Sequence, residues 1–179
     1  LLKLLSCSVK EIIFGQSLDV SMDHLSLNRE QYRKIAIEKT APFIALPIMG
    51  MFHCKELTED ECLAVKEISN ELGFAYQYLN DVENIIGAEQ EAASDFFKGH
   101  PNFMVIRILE KLSINEKKTI INKPEKLHDF ITRSNFIESK DEIVCILKNA
   151  MKNTHRLPKI IQPVIQSLKD EIIKRLSLI

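Results

Sequence analysis

The stretch GFAYQYLNDVENIIG, residues 73–87, sets a single aspartate among amides at helical spacing. At about 100° per residue, Gln77, Asn80, Asp81 and Asn84 share one sector of a helix, while Phe74, Tyr78, Val82 and Ile85 occupy another. Carboxylate and amide oxygens converging from one helix are the hard ligands that Mg²⁺ takes, with waters and substrate phosphates completing an octahedron. One carboxylate alone holds such an ion weakly. The same pattern also describes an ordinary amphipathic helix with a solvated face, and spacing leaves both readings open.

Such a stripe needs a helix to carry it, and the local signals supply one. Thr58 followed by Glu61 is a capping box that starts a helix running through the stretch to about Gly87. Asn28 with Gln31 opens an earlier helix through Lys39 and Thr40 towards Ala45, which Pro42 and Pro47 should bend or break. Before it, an apolar pattern from Leu1 runs to about Phe14 and is expected to stop near Gly15. Residues 88–100 read as a loop, and Pro101 fits the first turn of the next helix. Ser113 with Glu116 and Ser139 with Glu142 read as two further caps, and Pro124 opens a short helix between them. From Pro158 to Ile179, Ile161, Ile165, Leu168, Ile172 and Leu176 lie close to one stripe. No run of strict alternation suggests a strand, so the fold class is all-α, with about eight helices in a single domain over 1–179.

Composition narrows the function classes. The chain has 179 residues, 45% hydrophobic and 27% charged, with a formal net charge of −1. That balance suits a globular core and gives no reason to expect nucleic acid as a partner. Cys7, Cys54, Cys62 and Cys145 form no CxxC pair, so neither a disulfide framework nor a zinc site is indicated and a reducing, cytoplasmic setting is expected. His53, Cys54 and Cys62 supply three ligands at most, short of a structural zinc set. His24, His128 and His155 have no partners at ligand spacing. Phe74 and Tyr76 read as core, and Met49, Met51, Met104 and Met151 as core filler. No apolar run reaches the length of a membrane span. The chain opens at Leu1 inside a periodic apolar pattern with no cap before it, and this reads as a fragment whose upstream half is missing.

Three motifs in order, GQSLD at 15–19, EKTAPFIALPIMG at 38–50 and GFAYQYLNDVENIIGAEQEAASDFFKGHPN at 73–102, resemble the trans-isoprenyl diphosphate synthases of the polyprenyl synthetase family. The likeness covers the second half of a family member. It implies an antiparallel helix bundle of the isoprenoid synthase type, of which this chain is a part. The cavity of such a bundle holds an allylic diphosphate and isopentenyl diphosphate, and Mg²⁺ helps pull pyrophosphate from the allylic carbon. By that resemblance Lys39 and Thr40 match a Lys-Thr pair that holds the allylic diphosphate, and Gln77 matches a glutamine facing the same pocket. Asn80, Asp81 and Asn84 stand at the second aspartate-rich motif, and Gln16 and Asp19 at a motif lining the cavity. The resemblance also implies pairing into a homodimer or heterodimer.

The departures are specific. Two of the three aspartates of the metal motif are Asn80 and Asn84, which bring no formal charge. His100 and Asn102 replace the lysine and threonine of a Gly-Lys-x-Thr segment, with Lys98 two residues before His100 as a possible substitute. No DDxxD occurs in the chain. The expected function is a prenyltransferase with a weakened second metal site, the fragment alone being inactive. The alternatives are a catalytically silent partner subunit and a member resembling the terpene cyclases. Asn80 and Asp81 fit the cyclase metal motif, while Asn84, Ala88 and Glu89 depart from it.

Overall fold

The computed structural model describes residues 1–22, 27–52, 57–87 and 100–179. Among these, helices account for the regular structure and there is no strand. The order is α1 (Leu2–Ser21), α2 (Arg29–Met51), α3 (Glu59–Gly87), α4 (Phe103–Lys111), α5 (Ile114–Asn122), a 3₁₀ segment (Pro124–Phe130), α6 (Arg133–Lys152), a second 3₁₀ segment (Thr154–Arg156) and α7 (Gln162–Leu178). His24, His53, Cys54, Ala88, Glu89, Lys98 and the expected loop up to residue 99 lie outside the described residues.

α3 is the axis of the bundle. Val65, Ile68, Leu72, Phe74, Ala75, Tyr78, Leu79 and Val82 are all buried, and helices that are apolar over so much of their circumference are enclosed by neighbours. α2, α4, α6 and α7 pack around it, and α1 packs on α2. Most of the starts follow the local signals. Asn28 and Gln31 exchange side-chain and backbone hydrogen bonds, as do Thr58 with Glu61 and Ser113 with Glu116. Pro124 begins the first 3₁₀ segment.

Four expectations change. α1 does not stop at Gly15 but continues to Ser21, because that glycine serves a helix crossing rather than a terminus. α2 is not broken at Pro42 or Pro47 and runs through both. Pro42 withholds the N–H that the Glu38 carbonyl would accept, and packing by α1 and α3 on either side holds the helix across the gap. Ser139 caps nothing: it is fully buried inside α6, bonding back to the Asn135 carbonyl at 2.7 Å, and the cap is Thr132 with Asn135. Pro101 precedes α4, whose cap is Asn102 accepting from Val105 N at 3.1 Å. Among the side chains read as core, Met51 is 62% exposed and Tyr76 is 41% exposed.

Candidate functional site

Lys39 and Thr40 sit on α2 where α1 presses on one side and α3 on another. A Cβ added at Gly15 would lie 2.5 Å from the Lys39 backbone nitrogen, and one at Gly73 would lie 2.9 Å from that of Ala41. Two glycines on flanking helices therefore clasp the Glu38–Ala41 turn of α2. The clasp fixes where the Lys39 and Thr40 side chains emerge.

They emerge at a groove of about 630 Å³. Ile12, Ile13, Val20, Phe43 and the ring of Tyr76 form its apolar wall, while Gln16, Ser17, Lys39 and Thr40 supply polar atoms. Lys39 Nζ donates to Asp19 Oδ2 at 2.8 Å. Asp19 is buried and Lys39 is only partly covered, so the ammonium is held on one side and reachable on the other. A cation and hydroxyl beside an apolar trough suit an amphiphile with an anionic head and a hydrocarbon tail.

Asp81 faces elsewhere. Its side chain is buried, with Oδ2 accepting from the Tyr32 hydroxyl and, at 2.7 Å, from the Phe103 N–H, and Oδ1 accepting from Gln77 Nε2 at 3.4 Å. Its carbonyl accepts from Asn102 Nδ2 at 3.0 Å. Phe103 is the first residue of α4, so Asp81 sits on the positive end of that helix. Around the junction, the Phe103 ring lies 5.2 Å from Tyr32, 5.1 Å from Phe74 and 4.5 Å from Tyr78. Burial pushes the Asp81 carboxyl up to about 7 against the pull of its three donors, and nearby Asp19 adds to the rise. Burial also drives the Tyr32 phenol well above its ordinary range, and the Asp81 charge pushes it the same way.

The other two stripe residues diverge. Asn80 Oδ1 accepts from Arg175 of α7 at 2.8 Å, and Arg175 also grips Glu83. Asn84 is exposed. Three oxygens aimed at a core junction, at an arginine and at solvent do not make a cage for one Mg²⁺. Among the described residues no group of three His, Cys, Asp or Glu side chains is placed to hold a metal ion.

The structure thus brings Gln16, Asp19, Lys39 and Thr40 together at one groove. Gln77 is half-buried and belongs to the Asp81 junction, and His100 is exposed. Tyr32, Tyr76, Phe103 and Arg175 are the participants that sequence reasoning missed. Asn102 ahead of the apolar run from Phe103 to Ile106 was a readable cap signal. Arg175 lies 95 residues from Asn80, and nothing local marks it.

The comparisons with known proteins bear on the family and the fold. The polyprenyl synthetase family matches residues 1–134. A short chain isoprenyl diphosphate synthase of Methanocaldococcus jannaschii is 26% identical over 124 residues, covering 67% of this chain and 38% of the relative. A geranylgeranyl diphosphate synthase of Saccharolobus solfataricus is 27% identical over 139 residues, 73% of this chain and 42% of that one. The chain therefore spans about two-fifths of the length of these relatives. Among solved structures, a decaprenyl diphosphate synthase from Rhodobacter capsulatus superposes with a TM-score of 0.81 at 17% identity, covering 98% of this chain and 59% of that one. A geranylgeranyl pyrophosphate synthetase from Pyrococcus horikoshii gives 0.74 at 17% identity, covering 96% and 57%. Those likenesses establish the shared fold. Because the family match takes in well over half of the residues, the chain belongs to the polyprenyl synthetase family.

Proposed function

We propose that this chain forms part of a prenyltransferase that condenses an allylic diphosphate with isopentenyl diphosphate and releases pyrophosphate. The observation that carries the reading is the groove, where Lys39 and Thr40 stand at the lip of an isoprenoid-compatible apolar wall. The diphosphate head is placed against Lys39, with the tail along Ile12, Ile13 and Phe43. As the allylic C–O bond breaks, its electron pair leaves with pyrophosphate, and the Lys39 ammonium offsets the growing negative charge. The isopentenyl double bond captures the allylic cation to form the new carbon–carbon bond, and the cation so produced loses a proton to the released pyrophosphate, the base at hand, as the product double bond forms. Family membership brings with it a divalent ion such as Mg²⁺, which would stabilise the leaving group as a Lewis acid. The described residues of α3 do not fit that ion, and no step above runs through it. His100 and Lys98 remain candidates for a second phosphate contact. Pairing into a homodimer or heterodimer belongs to the same reading, and the exposed Leu2, Leu5, Val9 and Phe14 of α1 suit burial against another surface.

The α3 stripe, with Asp81 turned into the fold and Asn80 held by Arg175, favours one second reading, a catalytically silent subunit that binds diphosphate and tunes an active partner. A coupled assay on the intact gene product separates the readings, using Mg²⁺, isopentenyl diphosphate and an allylic diphosphate while following pyrophosphate and lipid products. Elongated product supports the prenyltransferase. Pyrophosphate released from the allylic substrate alone, with a hydrocarbon or alcohol, indicates cyclase chemistry instead. No turnover by itself, with altered product length when a complete family member is added, supports the silent subunit.

A further inference from the structure

The α3 stripe already carries a cation of the protein's own. The Arg175 guanidinium donates to Asn80 Oδ1 at 2.8 Å, places Nε 3.1 Å from Glu83 Oε1 and sets another N–H on Glu83 Oε2. Its carbon lies 5.0 Å over the Tyr76 ring, the same ring that walls the Lys39 groove. The side chain is 25% exposed, so most of it is enclosed between α7 and α3.

A guanidinium takes oxygen acceptors in its own plane, whereas a divalent ion gathers them around a point, and one set of oxygens cannot serve both. Here the Asn80 carbonyl oxygen and the Glu83 carboxylate are committed to Arg175, Asp81 is turned into the α2–α3–α4 junction, and Asn84 is in solvent. The charges agree with the geometry. Asn80 and Asn84 are neutral, Glu83 is compensated by Arg175, and among the described residues nothing on this face of α3 presents the surplus of negative charge that draws Mg²⁺.

We propose that Arg175 occupies the cation position of the α3 stripe in place of a metal ion, tying α7 to the wall of the diphosphate groove. Its significance for catalysis rests on the function proposed above, but its occupancy does not. The test is Mn²⁺ titration of the intact protein without substrate, free Mn²⁺ being followed by electron paramagnetic resonance. R175Q, which frees Asn80 and Glu83, is expected to take up more Mn²⁺ than the parent, weakly, as one carboxylate and one amide oxygen allow, and R175Q/E83Q to lose that gain. R175K, keeping the charge, should match the parent. D81N, whose amide oxygen still accepts from Tyr32 and Phe103, should bind as many ions as the parent and gives an independent readout should R175Q not fold. A purely structural role for Arg175 would produce no gain of metal. An R175Q protein with the parental ion count, or a D81N protein that loses an ion, overturns the proposal. Failure of the prenyltransferase reading would leave these counts unmoved, because no substrate is present.

Discussion

Asp19 and Asp81 are both buried carboxylates, close enough that the charge of one raises the pKa of the other, yet they do different work. Asp19 is bonded to a lysine at the lip of an open groove, and Asp81 is saturated by a phenol, an amide and a backbone N–H. An ion pair at a groove can exchange partners when an anionic ligand arrives. A carboxylate fully bonded to donors of the fold is part of the scaffold. Residue type at motif spacing is therefore insufficient to assign ligand chemistry; what the oxygens already hold decides it.

The contrast can be broken most forcefully at Asp81. Asp81→Ala leaves the Tyr32 hydroxyl and the Phe103 N–H without their buried acceptor and is expected to cost roughly 3–5 kcal/mol, whereas Asp81→Asn costs about 1 kcal/mol. Urea unfolding of the two variants measures the gap. Equal, small losses would mean that Asp81 is not a structural junction.

Next comes pH. Burial pushes the Asp81 carboxyl up to about 7 in the fold, from an ordinary 3.8. Between those values the folded state binds more protons than the unfolded state, so this group's contribution makes stability fall as pH rises through that window, by roughly 4 kcal/mol at most. Asp81→Asn should flatten that part of the slope; an unchanged slope would assign the pH dependence to other groups.

At the groove the expected effects are smaller. Gly15→Ala forces α1 away from the Lys39 backbone and should cost about 1–3 kcal/mol in unfolding experiments. A neutral result would show that the clasp is loose. Asp19→Asn releases Lys39 from its partner and should tighten pyrophosphate binding by about threefold, under 1 kcal/mol, in calorimetric titrations of the intact protein. Weaker binding would show that Asp19 orients the ammonium more than it competes for it.

What was legible in the sequence follows the range of the interactions. Helices and three of the four expected capping boxes are local, so Asn28, Thr58 and Ser113 announced them correctly. Ser139 followed by Glu142 imitates a cap, and only the Tyr78 hydroxyl donating to it at 2.9 Å from another helix reveals a buried core serine. Gly15 misled for the same reason: a glycine that ends a helix and one that admits a neighbouring backbone look alike until the neighbour is in place. The Lys39, Thr40, Gln16 and Asp19 constellation was visible through the family resemblance, and the fold gathers it. The reorientation of Asp81 and the arrival of Arg175 depend on contacts across 22 to 95 residues, which one sequence does not display.

In the proposed reaction the Lys39 groove receives the diphosphate of an isoprenoid. Calorimetric titration of an allylic diphosphate into the intact protein and its Lys39→Ala variant, with unfolding midpoints measured alongside, tests it most directly. The variant is expected to keep its fold and bind at least about tenfold more weakly, equivalent to about 1.4 kcal/mol. Equal affinity in two folded proteins would contradict it and move the diphosphate site away from this groove.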